Sequence, residues 1–117
     1  MTHAPPVLSP RRRQDRGCRL LAPPPDVTPE VARRLAGVAK ALGHPTRLQI
    51  VDVIRKAAPE AVCQCELTPL FAMSQPALAK HLKVLLTAGV LESERRGTWT
   101  YYYARTGGME ELTAWMS

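Results

Sequence analysis

"SQPALAKHLKVLLTAGVLESERRGTWTYYYA", residues 74–104, changes its hydrophobic period halfway along. In the first half Leu78, Leu82, Leu85 and Leu86 recur at helical spacing and make one apolar stripe. Ser74 is a favoured residue type at a helix start, and Gly89 at a helix end. Beyond Gly89 the pattern becomes strand-like. "VLESER" and "TWTYYYA" are joined by "RRGT", which places Gly97 in the turn of a β-hairpin. Trp99 and Tyr101–Tyr103 alternate along the second run, so their rings fall on both faces and are assigned to packing.

On the N-terminal side of this run, "AMSQ" is a turn, and a short helix is expected from about Glu66 to Phe71 before it. "HPTRLQIVDVIRKA" reads as a helix with Leu48, Val51 and Ile54 on one face, broken by "APEA". Thr28-Pro29-Glu30 is a helix start, followed by Val31, Leu35, Val38 and Leu42, and closed by Gly43. A last helix from about Gly108 to Met116 offers Met109, Leu112, Trp115 and Met116 as its apolar face. The expected fold is α+β and mostly helical: a winged helix-turn-helix with a two-stranded wing hairpin. Residues 28–117 form the folded domain, and residues 1–27, rich in proline and arginine, form a flexible basic arm.

The chain has 117 residues, 45% of them hydrophobic, which is enough for one core. It lacks an apolar run near the length of about 18 residues that a membrane span needs. No apolar region follows the arginines of "RRRQDRGCRLLAPPP", so a signal peptide is not expected and a cytoplasmic location is. Net charge is +6, and residues 1–28 supply half of it, with five arginines and two aspartates giving 5 − 2 = +3. Such a balance suits nucleic acid, or else marks a solvated leader.

In a winged helix-turn-helix the N-terminal residues of one helix face base edges, and the wing reaches the neighbouring backbone. Here that helix starts at Ser74. Gln75 is suited to adenine and Ala77 to a thymine methyl. Lys80 and Lys83, with Arg95 and Arg96 of the wing, would meet phosphates.

The three cysteines are Cys18, Cys63 and Cys65. In a reducing compartment a structural disulfide is not expected, so metal binding or thiol reactivity gains weight. Cys63 and Cys65 sit two apart in "AVCQCELTPL". In a regular helix positions i and i+2 point to nearly opposite sides, and in a strand to one face. The two sulfurs can therefore converge only if the chain is extended here or a helix is just beginning. A helix N-terminus would also favour the thiolate form, which selects soft ions. Buried small hydrophobes are the plain alternative.

"LGHPTRLQIVDVI", "CQCEL" and the long run from Ser74 to Ala104 resemble the ArsR/SmtB family of metal-responsive bacterial repressors, over residues from about 31 to 116. The resemblance implies a homodimer that binds palindromic operator DNA and is released by a toxic metal or metalloid, with no obligatory cofactor. The arsenic-responsive branch often carries a Cys-x-Cys pair where Cys63 and Cys65 stand. Its commonest site has a third cysteine three positions later, where this chain has Thr68. Some relatives draw a cysteine from an N-terminal arm, which points to Cys18 as the third donor. As(III) or Sb(III) suits three sulfurs in a pyramidal site, while cadmium or lead is less well matched and zinc usually wants four ligands. "MEELTAWMS" lacks histidine and departs from the interfacial zinc site of other relatives.

Two other readings use the same residues. A thiol redox sensor on the same fold would join Cys18 to one of the pair under oxidant. A thiol enzyme finds no Cys-x-x-Cys, base–nucleophile arrangement or cofactor loop here, so the chain is not expected to be an enzyme.

Overall fold

The computed structural model describes residues 22–117. Cys18 and all but the end of the arm assigned to residues 1–27 therefore lie outside the described residues.

Helix α1 (Pro29–Leu42) starts where Thr28 accepts a hydrogen bond from the Val31 N–H at 3.2 Å, with proline fixing the first turn. It buries Leu35, Val38 and Ala41. Helix α2 (Pro45–Ala57) is capped by a histidine, whose Nδ1 accepts from the Thr46 N–H at 3.1 Å. Its buried face is Ile50, Val51 and Ile54, and Leu48, expected on that face, is 53% exposed. An i, i+3, i+6 series drifts around a 3.6-residue helix, and the i, i+4 pair Ile50 and Ile54 holds the centre of the stripe instead.

Strand β1 is only Val62–Cys63. Helix α3 (Gln64–Leu67) follows at once and runs into a tighter helical turn at Thr68–Leu70. This begins two residues earlier than the Glu66 start read from the sequence. Helix α4 (Gln75–Thr87) comes next, then β2 (Leu91–Arg96), β3 (Trp99–Ala104) and α5 (Thr106–Met116). The sheet has three strands rather than the two expected, in the order β1-β3-β2, all antiparallel. Val62 pairs with Tyr102 and Cys63 with Tyr101. A two-residue strand is too short to show alternation, so its sequence carries no strand signal.

Two glycines set the turns around α4 and the wing. Gly89 has φ +78°. Its N–H donates to the Leu86 carbonyl at 3.0 Å, and the Val90 N–H donates to the Leu85 carbonyl at 2.9 Å. That is the Schellman arrangement, with Leu85 and Val90 forming its hydrophobic contact inside the core. No atom lies within 4 Å of where a Cβ on Gly89 would sit. Gly89→Ala is therefore expected to lose about 1–2 kcal/mol from backbone strain alone, read as a lower midpoint in urea unfolding. Gly97, at φ +65°, opens the two-residue turn between the paired Arg96 and Trp99, as a type II′ turn requires.

The core forms where α2, α4 and the sheet meet. Ile50, Ile54, Leu67, Leu78, Leu82, Leu85 and Val90 are among its most enclosed members. Leu86, expected on the buried stripe of α4, is half-buried and packs against this core. Tyr102 faces it from β3, and Trp99 stands 54% exposed at the strand's start. Helix α5 lies on α1, where Arg34 grips Glu111 through two hydrogen bonds of 2.8 and 2.6 Å. The hydrogen bond and charge of Arg34 hold the Glu111 carboxyl below its usual range.

Candidate DNA interface and thiol site

Ser74 caps α4 by accepting from the Ala77 N–H at 3.3 Å. That bond and Pro76 in the first turn fix where the helix begins. Leu78, Leu82 and Leu85 face inward, which turns Lys80 and Lys83 outward, and both are exposed. Gln75 is exposed at the helix tip, while Ala77 is half-buried. Arg95 and Arg96 end β2, opposite Thr100 and Trp99, and both are exposed. The Arg96 guanidinium stacks over the Tyr101 ring at 4.5 Å and reaches Glu94 at 3.3 Å, so it is held along the wing.

Helix α4 is fastened to α2 by a small polar group that sequence spacing did not reveal. The His81 ring lies 4.6 Å from that of His44. Arg47 donates from Nε to the Ala41 carbonyl at 2.6 Å, and its Nη1 lies 3.4 Å from His81 Nδ1. Burial lowers the His81 pKa, and the neighbouring His44 ring and Arg47 guanidinium add to the effect. A histidine with a depressed folded-state pKa stabilises the fold above the unfolded value of about 6.5, and that contribution is lost as pH falls. Thermal melts are expected to fall more steeply below pH 6.5 for the wild type than for His81→Gln. Parallel pH profiles would rule this out.

Cys63 occupies the junction between strand and helix. Its backbone is extended, at φ −75° and ψ 144°, and it is the N-cap of α3. The Cys63 sulfur accepts from the Cys65 N–H at 3.3 Å, and the Cys63 N–H donates to Glu66 Oε1 at 2.8 Å. The two bonds make a capping box with a thiol where serine or threonine usually stands. Cys63 is only 3% exposed, and Cys65 is exposed. The backbone condition for convergence is met, because the chain is extended at Cys63 and only one turn has begun at Cys65.

The thiols differ from expectation in one respect. The Cys65 pKa is raised, first by its hydrogen bond with Cys63, then by desolvation, then by the nearby charges of Cys63 and Glu66. Helix α3 is four residues long, too short for its dipole to offset those neighbours. A cleft of about 160 Å³ opens beside the pair, lined also by Gln64, Gln75, Trp99 and Thr100. Gln64 Nε2 donates to the Gln75 carbonyl at 3.4 Å. The thiols thus lie between the tip of α4 and the turn end of the wing. Cys18 lies outside the described residues, and among the described residues no group of three or more His, Cys, Asp or Glu side chains could hold a metal ion.

A serine-capped helix over an apolar core, a helix–turn before it and a basic antiparallel wing after it define a winged helix-turn-helix transcriptional regulator. The family described as "Bacterial regulatory protein, arsR family" matches residues 44–93. The chain is 37% identical over 73 residues to the arsenical resistance operon repressor of Bacillus subtilis strain 168, covering 62% of this chain and 68% of that one. It belongs to the arsR family, whose members are DNA-binding regulators of transcription rather than enzymes.

Two solved structures share the fold. The ArsR-like transcriptional regulator from Rhodococcus sp. RHA1 superposes with a TM-score of 0.65 at 26% identity, over 74% of this chain and 79% of that one. The homodimeric winged helix-turn-helix domain of a possible ArsR-family regulator from Mycobacterium bovis gives 0.64 at 23% identity, over 82% and 87%. Among the described residues no helix is long and apolar enough to cross a membrane.

Proposed function

We propose that this regulator is a homodimeric repressor that leaves its operator when As(III) or Sb(III) binds the Cys63–Cys65 pair. The observation that carries the reading is that Cys63 and Cys65 share one cleft with Gln75 at the start of α4 and Trp99 at the turn end of the wing. An ion seated there changes the support of the recognition helix directly. The Bacillus subtilis relative is named for arsenical resistance, in keeping with this inducer class.

On the operator, Gln75 and Ala77 face base edges beside the Ser74 cap, and Lys80, Lys83, Arg95 and Arg96 hold phosphates. The half-buried position of Ala77 leaves it the shorter reach of the two. Trivalent arsenic or antimony takes three soft donors and keeps a lone pair, so the pair needs a third ligand. Cys18, from a basic arm of residues 1–27, is that donor in this reading, in the same subunit or the partner. Dimerisation through residues 28–117 uses the exposed faces of α1 and α5. There Ala32, Leu35, Ala36, Ala39, Leu112 and Trp115 line an apolar groove of about 330 Å³, and Trp115 is 60% exposed. Two recognition helices would then sit about 34 Å apart in successive major grooves.

The test is an operator-binding titration with arsenite, antimonite, cadmium and peroxide on wild type and on Cys18→Ser, Cys63→Ser and Cys65→Ser. Arsenite and antimonite should release DNA from wild type and fail on the variants of the pair. Release by peroxide alone, reversed by dithiothreitol, would replace metalloid sensing with redox sensing.

A further inference from the structure

A second hollow lies away from the thiols. It measures about 730 Å³ and lies where the end of α1, the start of α2 and the outer side of α4 meet. Lys40, Arg47, Lys80 and Lys83 contribute four cations to its lining, and its apolar wall includes Val84 and Ala88. No carboxylate is among the residues that line it. Arg47 is held in place by the Ala41 carbonyl at 2.6 Å, so its charge is positioned before anything binds. Val84 is 40% exposed here, a branched aliphatic side chain left uncovered beside Lys80 and Lys83.

Clefts of this size with apolar walls and a few fixed polar groups are the usual form of small-molecule sites. An uncompensated cationic rim selects the sign of the ligand's charge, and the apolar wall selects a hydrocarbon body. We infer that this cleft binds a small amphipathic anion, a carboxylate or sulfonate on an apolar body, and that its occupancy competes with DNA. The competition follows from shared residues. Lys80 and Lys83 line the cleft and also stand on the outward face of α4, so a bound anion draws them away from phosphate. This second half rests on the proposed DNA face of α4, whereas ligand binding itself does not. The route is independent of the cysteines.

Decanoate is the probe, with decanol and decyltrimethylammonium as neutral and cationic controls, each titrated calorimetrically into the full chain. Decanoate should bind saturably at one site per chain, and the controls should not. Lys40→Glu and Val84→Glu each place a negative charge in the cleft at an exposed position, and each should weaken decanoate roughly tenfold or more. Equal binding of all three probes, or variants that bind decanoate as wild type does, would overturn the site. Decanoate should also displace a labelled operator fragment from the Cys63→Ser/Cys65→Ser chain. Decanoate binding that leaves the operator in place would overturn the competition. A chain that never binds operator would instead undo the proposed DNA reading, and the calorimetry would still judge the cleft.

Discussion

Replacing Lys80 and Lys83 together by alanine removes both lysines from each subunit of the dimer and is expected to weaken operator binding by roughly 1,000-fold near physiological salt, about 1 kcal/mol for each of four phosphates no longer neutralised. The same change should make the salt dependence shallower by about 3.6 units of logarithmic slope, since each of the four neutralised phosphates contributes about 0.9. Both side chains are exposed and lie opposite the buried Leu78, Leu82 and Leu85, so the fold has little to lose. Lysine and alanine are also both good helix formers. The loss should be uniform across operator variants, because phosphates position a protein and carry no sequence information. Gln75→Ala should behave differently, with a smaller total loss concentrated at one base pair and little change in salt slope. An unaltered salt slope in the double variant would show that α4 meets DNA by another face.

What could be read from the sequence follows the range of the forces involved. The boundaries of α4 are legible because capping is local: Ser74 bonds to Ala77, and Gly89 closes the helix within its own last turn. The hairpin is legible from alternation and from one glycine at the turn. Leu48 defeats the spacing rule because a run of apolar residues in α2 offers more than one stripe, and only the neighbours of Ile50 and Ile54 decide between them. Strand β1 is invisible because its extended shape is imposed by pairing with β3, far along the chain. The position of the thiols is half legible. Their spacing poses the question of an extended or helical backbone, and the capping box answers it. The upward shift of Cys65 depends on Glu66 and on the Cys63 sulfur, whose orientation no spacing rule supplies. The cationic cleft gathers Lys40, Arg47, Lys80 and Lys83 from three helices, so no window of sequence shows it.

Cys63→Ser should separate sensing from folding more cleanly than any other substitution at the site. Cys63 does two jobs: its sulfur faces Cys65, and it accepts the Cys65 N–H to start α3. Serine performs the second job at least as well, since it is among the preferred N-caps and completes a capping box with Glu66. It cannot perform the first, because a hydroxyl is a poor ligand for a soft trivalent ion. The variant should therefore melt close to wild type and bind operator with unchanged affinity. The arsenite concentration needed for release should rise roughly 100-fold or more, on the order of the loss of one soft ligand from a three-donor set, about 3 kcal/mol. Cys63→Ala is the informative contrast. It removes the thiol and also leaves the cap unmade, so it should lose inducer response together with roughly 1 kcal/mol of stability. Any coupling between the sites must be reciprocal, so operator DNA should weaken arsenite binding to wild type by the same factor that arsenite weakens DNA binding. If Cys63→Ser still releases operator at wild-type arsenite concentrations, the inducer binds elsewhere, and the buried thiol is a helix cap alone.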